Sequence, residues 1–186
     1  MTALRLKIPF VVIAGAMLAL FLTGPTVVIA GESGAERFYG HFTGQAMVET
    51  EGQVSKRDLG VTVEPYKKGF TVEWTTKRHK ADGKIKTSEY KVNFRKAKRA
   101  GLFKSAMRVT KFGAEEPLDP LQGDPYVWAQ IEGDKMTIFS MLILNDGGYE
   151  MQTYDRRLTA EGMDLLFSRV RNGLILKAIS ARLVKQ

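Results

Sequence analysis

The residues with the most chemical potential in this 186-residue sequence are its cations. Positions 77–111 hold thirteen Lys or Arg and two acids, Asp82 and Glu89, a local net charge of +11 in a chain of formal charge +8. Two clusters bracket much of the stretch, Lys77-Arg78-His79-Lys80 and Arg95-Lys96-Ala97-Lys98-Arg99. Lys84, Lys86, Lys91, Lys104 and Arg108 fill out a basic wall around them. Such a wall attracts anionic surfaces, for example phospholipid head groups or lipopolysaccharide phosphates. A plainer reading stands beside it: lysines on exposed strands keep a sheet soluble and blunt its edges. Nucleic acid is not expected as a partner, because the aromatic residues alternate onto the face opposite the lysines.

Other chemistry is scarce. With no cysteine, disulfides, thiolate nucleophiles, iron–sulfur clusters and cysteine zinc sites are excluded. Two histidines, His41 and His79, are too few for a histidine-rich metal site or a histidine relay. Asp119, Asp124, Asp146 and Asp155 are dispersed, mostly among turn residues where Asp is a turn former. No glycine-rich phosphate loop, HExxH or Gly-x-Ser-x-Gly occurs. No catalytic residue, metal or cofactor is expected, and the reading leans away from an enzyme.

The first thirty residues read as an address. Arg5 and Lys7 precede fifteen uncharged residues, Ile8 to Leu22, and Gly24-Pro25 then breaks any helix. Val28-Ile29-Ala30 suits a signal peptidase, so residues 1–30 are expected to be a secretory signal helix cleaved after Ala30. The alternative is an uncleaved inner-membrane anchor over residues 8–30, long enough to span a bilayer. Cleavage would leave 156 residues of net charge +6, periplasmic or secreted, with no disulfide to support the core. A chain of that size can bury about 70% of its unfolded surface, so one domain over 31–186 is feasible.

Past Glu36 the pattern is that of strands. Short segments alternate apolar and polar residues between turn signals. Ten are expected: 37–49, 58–66, 69–78, 85–95, 102–112, 125–132, 135–144, 148–157, 163–171 and 174–183. Ala81-Asp82-Gly83, Gly133-Asp134, Asn145-Asp146-Gly147-Gly148 and Asn172-Gly173 mark tight turns, the last a strong two-residue hairpin signal. Short turns force antiparallel neighbours, and a meander of eight to ten strands removes its edges by closing into a barrel. In the third segment Phe70, Val72 and Trp74 share a face. In the fourth, Ile85 and Thr87 are out of phase with Tyr90, Val92 and Phe94, which predicts a bulge near Ser88-Glu89. The seventh, 135–144, is apolar on both faces, so its outer face is either covered by another element or an interaction patch.

The opening Phe38-Tyr39-Gly40-His41-Phe42-Thr43-Gly44 is similar to the Gly-x-Trp start of lipocalins, with Phe42 in the tryptophan position. With Arg169, Arg171 and Arg182 on the last two strands, the segment 37–183 resembles the calycin superfamily of lipocalins and fatty-acid-binding proteins, and looks like an exported barrel of Gram-negative bacteria. The resemblance implies that one of these arginines packs across Phe42. It also implies an interior that holds one small apolar or amphipathic ligand. Candidate ligand-binding residues are Trp74, Tyr90, Phe94, Phe103, Met107, Tyr149, Met151, Phe167 and Arg169, with Ser105, Ser140 and Thr153 in phase to hydrogen-bond a head group. By the same resemblance Arg169, with Tyr149 or Tyr154, grips a ligand carboxylate. Equally, these bulky side chains suffice to fill the barrel and leave no cavity. The haem-binding calycins use a late histidine, and none follows His79 here.

Two functions therefore compete. The first is an exported non-enzymatic barrel binding a small lipid-like molecule in the cell envelope. The second is a structural or interaction protein whose basic wall (Lys84, Lys86, Lys91, Lys104, Arg108) meets anionic envelope lipids or polysaccharide.

Overall fold

The computed structural model of the chain describes residues 34–50, 53–105, 108–109, 115–116 and 118–186. The expected signal or anchor segment, residues 1–30, lies outside them, as does Met107. Twelve strands follow one another: β1 (Gly40–Thr50), β2 (Gln53–Tyr66), β3 (Gly69–His79), β4 (Ile85–Lys96), β5 (Leu102–Ser105), β6 (Arg108–Val109), β7 (Glu115–Glu116), β8 (Tyr126–Glu132), β9 (Lys135–Ile143), β10 (Tyr149–Leu158), β11 (Gly162–Arg171) and β12 (Leu174–Lys185). Ten of them form a closed antiparallel meander barrel, and among the described residues β6 pairs with β7 alone. Closure is made by β1 and β12, with Phe42 opposite Lys185 and Gly44 opposite Leu183.

The turns follow from their residues. Asn172 and Gly173 both take positive φ, 47° and 83°, as a two-residue hairpin connection requires. Asp82 accepts a hydrogen bond on Oδ1 from the Lys84 amide at 3.0 Å, an Asx-type turn that reverses β3 into β4. In an up-and-down barrel alternate connections lie at the same end. Those of β1–β2, β3–β4, β5–β8, β9–β10 and β11–β12 therefore share one end, here termed the mouth. The remaining connections share the other.

The end opposite the mouth is sealed. A single 3₁₀ turn, Glu36–Phe38, sets the fully buried Phe38 beneath the barrel, ahead of β1. It joins Phe42, Val63, Phe70, Phe94, Phe103, Met136, Met163 and Leu183 in one continuous core. Phe70 stacks on Phe94 at 5.1 Å and meets Phe103 edge-on at 4.9 Å. Aromatic pairs of this geometry add to the area term, so the sealed end is the stable half of the domain.

Several details differ from the sequence reading. No bulge interrupts β4, whose register with β3 is unbroken from Gly69–Arg95 to His79–Ile85. Ile85 and Thr87 lie on the outer face because the inner face near the mouth is polar, carrying Lys86 and Ser88. The register shift falls instead in β11, between Arg169 and Val170. The first segment begins with the 3₁₀ turn rather than a strand, and β2 starts earlier, at Gln53. On the outer face of β9, Phe139 stacks on Trp128 of β8 at 4.8 Å, and Trp128 in turn meets Tyr126 at 5.6 Å. The apolar outer side of β9 is thus covered in part by the aromatics of its neighbour.

Phe38→Ala removes the plug of the sealed end. We expect a loss of about 3–5 kcal/mol in unfolding free energy, measured by urea denaturation with an unchanged slope.

Candidate functional site

Antiparallel partners share a face, so the register decides which side chains enter the barrel. From β3 the inner set is Phe70, Val72, Trp74, Thr76 and Arg78, and from β4 Phe94, Val92, Tyr90, Ser88 and Lys86. Opposite them, Ile138 pairs with Tyr154, which pairs with Phe167. The inner face of β10 is therefore Glu150, Gln152, Tyr154 and Arg156. Tyr149, Met151 and Thr153 stand on the outer face, which corrects the expectation for all three. Phe94 and Phe103 are inner residues but belong to the sealed core. The side chain of Arg108 is outside the description, as is Met107.

Above the core lies a cavity of about 280 Å³ lined by Trp74, Tyr90, Tyr154, Phe167, Leu165 and Ile179, together with Arg57, Arg156, Arg169, Lys177, Gln152 and Ser88. It reaches solvent beside Tyr90, an inner-face residue that is nonetheless 57% exposed. The cause is the shortness of β5. It pairs with β4 only at Phe94, Arg95 and Lys96, so among the described residues no strand covers the second edge of β4 from Ile85 to Asn93. Trp74 stacks on Tyr90 at 5.6 Å and reaches Tyr154 across the barrel at 5.3 Å, and Tyr154 meets Phe167 at 4.8 Å. Four aromatic rings thus form a row through the cavity.

The polar side of the cavity is a hydrogen-bond chain along β10. The Tyr154 hydroxyl donates to Gln152 Oε1 at 2.8 Å, Gln152 Nε2 donates to Glu150 Oε1 at 2.8 Å, and Arg169 Nη2 donates to Glu150 Oε2 at 2.6 Å. Arg169 lies on the inner face, yet its charge is already met by Glu150. The hydrogen bond from Arg169 holds the buried Glu150 carboxyl below its ordinary range. Burial pushes the Tyr154 hydroxyl up to about 12, so it stays a neutral phenol.

Arg156 is different. It is 0% exposed, and its Nε and Nη2 have no hydrogen-bond acceptor. Its one bond runs from Nη1 to the Tyr154 carbonyl at 3.5 Å, the weak limit of such contacts. Its guanidinium lies 5.6 Å from the Trp74 ring and 5.8 Å from the Tyr154 ring, cation–π contacts that offset part of its desolvation. Burial lowers its pKa to about 10, which still leaves it a cation at neutral pH. Nearer the mouth, Arg57 Nε is also buried without an acceptor. Burial, and then the neighbouring Arg78, lower the Arg57 pKa. Burial followed by Arg57, Arg169 and Arg78 lower that of Lys177. Burial is the main cause for each, and Arg57 and Lys177 are lowered further by neighbouring cations, since no acid lines the cavity.

The basic wall does not assemble as expected. Lys91 pairs with Glu73 at 3.1 Å and Lys84 with Asp82 at 3.4 Å. Lys86 turns to the inner face opposite Arg78, while Lys104 stays outside opposite Arg95 and Trp128. Lys86 and Lys91 also stand on the uncovered edge of β4, where lysines oppose strand addition. The resemblance-based arginine over Phe42 is replaced by Lys185, whose Nζ lies 5.7 Å from that ring. Arg169, Arg171 and Arg182 instead bind Glu150, Asp146 and Asp164. Both histidines are engaged on the outer face, His41 with Thr62 and His79 with Asp58.

No protein-family model matches the sequence, and no curated protein matches it.

Alternation does not reveal Arg156 and Glu150, because it equates an apolar residue with an inner one. The available signal was loop length. The connection 144–148 has five residues, which keeps residues of like parity on one face, so an inward Ile138 commits Tyr154 and Arg156 inward.

The Glu150 carboxyl is held below its unfolded value of 4.5, so its contribution to stability is complete above that pH and is lost as pH falls through the folded value. Thermal melts from pH 7 to 3 should show Glu150→Gln losing less stability on acidification than the parent chain. Parallel curves would contradict the assignment.

Proposed function

We propose that this chain is an exported, non-enzymatic barrel of calycin type that binds one small amphipathic molecule in the cell envelope, with an aromatic or apolar body and a single anionic group. The observation that carries the reading is Arg156, a buried cation with two unused donor atoms at a cavity whose lining holds no acid, the nearby Glu150 being already paired with Arg169. An unpartnered charge in a protein interior costs several kcal/mol, which an entering anion offsets by supplying the missing acceptors. The aromatic row from Tyr90 to Phe167 offers stacking area for the body of the ligand. A volume of about 280 Å³ stands at the small end of ligand sites, which favours a compact ring system over a long acyl chain held wholly inside.

This reading replaces the expected grip by Arg169 with a grip by Arg156, supported by Arg57 and Lys177 nearer the mouth. The apolar share of the affinity comes from area removed from water, about 25 cal/mol per Å² before ordering costs. Selectivity for an anion comes from the donors of Arg156, which a neutral ligand leaves unpaired.

Two dyes that share a body and differ in charge test it. Anilinonaphthalene sulfonate should bind the protein one to one, about tenfold or more tighter than the neutral phenylnaphthylamine in fluorescence titrations. Arg156→Met keeps the volume and removes the charge. It should abolish that preference and leave the fold more stable by about 1–4 kcal/mol. A variant that is destabilised and binds both dyes as before would assign Arg156 a structural role and end the proposal.

A further inference from the structure

The twelve exposed large apolar residues among those described are not evenly spread. Nine lie in or next to mouth-end connections, while at the sealed end only Val184 is of this kind. Met47 and Val54 flank the β1–β2 connection, and Ile85 opens β4 directly after the β3–β4 turn. Leu174, Ile175 and Leu176 follow the Asn172-Gly173 turn in an unbroken run, with Leu174 71% and Ile175 73% exposed. These residues sit on the hairpin tips of the mouth end.

The same end carries surplus positive charge. Arg78, Lys80, Lys86 and Lys177 form no ion pair among the described residues, whereas Asp58 is engaged by His79 and Lys56, Asp82 by Lys84, Asp146 by Arg171 and Glu150 by Arg169, which leaves Glu49, Glu89 and Asp119 as the described acids of this end outside any ion pair. A ring of aliphatic tips interleaved with unpaired cations is costly in water. It matches a flat, deformable surface that is apolar a few ångströms below a layer of anions. A protein partner would have to present a separate pocket to each tip and acids between them. A bilayer leaflet satisfies every tip at once.

We propose that the mouth rim docks on an anionic lipid bilayer, with the β11–β12 tip and its neighbours entering the head-group region and the unpaired cations meeting lipid phosphates. The contact differs from the basic wall read from the sequence, since it uses the ends of the strands and not their sides. It stands whether or not the cavity holds a ligand.

The chain has no cysteine, so single labels can be placed at will. Ile175→Cys and, at the sealed end, Lys68→Cys are each coupled to an environment-sensitive dye in the full chain. Both are then mixed with phosphatidylcholine vesicles with and without about one-third phosphatidylglycerol. Residues 1–30 are common to both labelled proteins, so the difference between labels reports the rim. At position 175 emission should rise about threefold or more and shift to the blue with anionic vesicles only, and lose at least about half of that gain in roughly 0.5 M salt, where screening shortens to a few ångströms. Lys80→Glu with Lys86→Glu in the Ile175→Cys chain should cut the response by a similar factor, and the label at 68 should stay unchanged. Equal responses at both positions, no response at 175, or an equal response to uncharged vesicles would each overturn the proposal. A label at 175 that ignores vesicles but responds to added unlabelled protein would assign the rim to a protein contact instead, and overturn it too.

Discussion

Pairing of β1 with β12 is the constraint on which the rest of the molecule depends. Once the meander closes, each strand residue faces either one shared interior or the outside, and every strand's phase is fixed by that of its neighbour. A closed cylinder of ten strands has to be filled, plugged or left partly open. This chain does different things at its two ends. Phe38 and the phenylalanines of β1, β3, β4 and β5 fill the sealed half. The other half holds charge.

That division sets an energetic tension within one interior. The sealed half gains from apolar burial and ring contacts. The upper half buries a guanidinium that lacks acceptors, beside a second arginine whose Nε is equally unsatisfied. Cation–π contacts to Trp74 and Tyr154 return part of the cost, and the chain from Tyr154 through Gln152 to Glu150 and Arg169 satisfies the groups around it. A fold selected for stability alone would place a leucine or methionine at position 156. Retaining arginine there is the kind of local sacrifice that accompanies a binding site.

Much of the architecture was legible in the sequence. Asn172-Gly173, Ala81-Asp82-Gly83 and Gly133-Asp134 each fall at a connection, and the ten expected segments match the ten barrel strands to within a few residues, apart from the start of β2 and the length of β5. The inner faces of β3 and of β11 up to Arg169 follow from alternation, because their apolar residues do point inward. Alternation fails for β10 and for the mouth end of β4. There the interior is polar and solvent-reaching, while the exterior beside Trp128 and Phe139 is apolar, so hydrophobicity no longer reports the direction of a side chain. Register carries that information instead. The partners of Arg169 and Phe42 were hidden for a related reason: Glu150 and Lys185 are brought to them by strand pairing and lie far away in the sequence.

The brevity of β5 has a kinetic corollary. Because the wall beside Tyr90 is not closed by ladder hydrogen bonds among the described residues, traffic between the cavity and solvent need not unzip any strand pair. It requires the turning of an exposed phenol about its side-chain bonds, a motion of picoseconds to nanoseconds. Opening a barrel seam would be orders of magnitude slower. Among the described residues, then, residence of anything inside is governed by how strongly it is held and by no strand that must first separate.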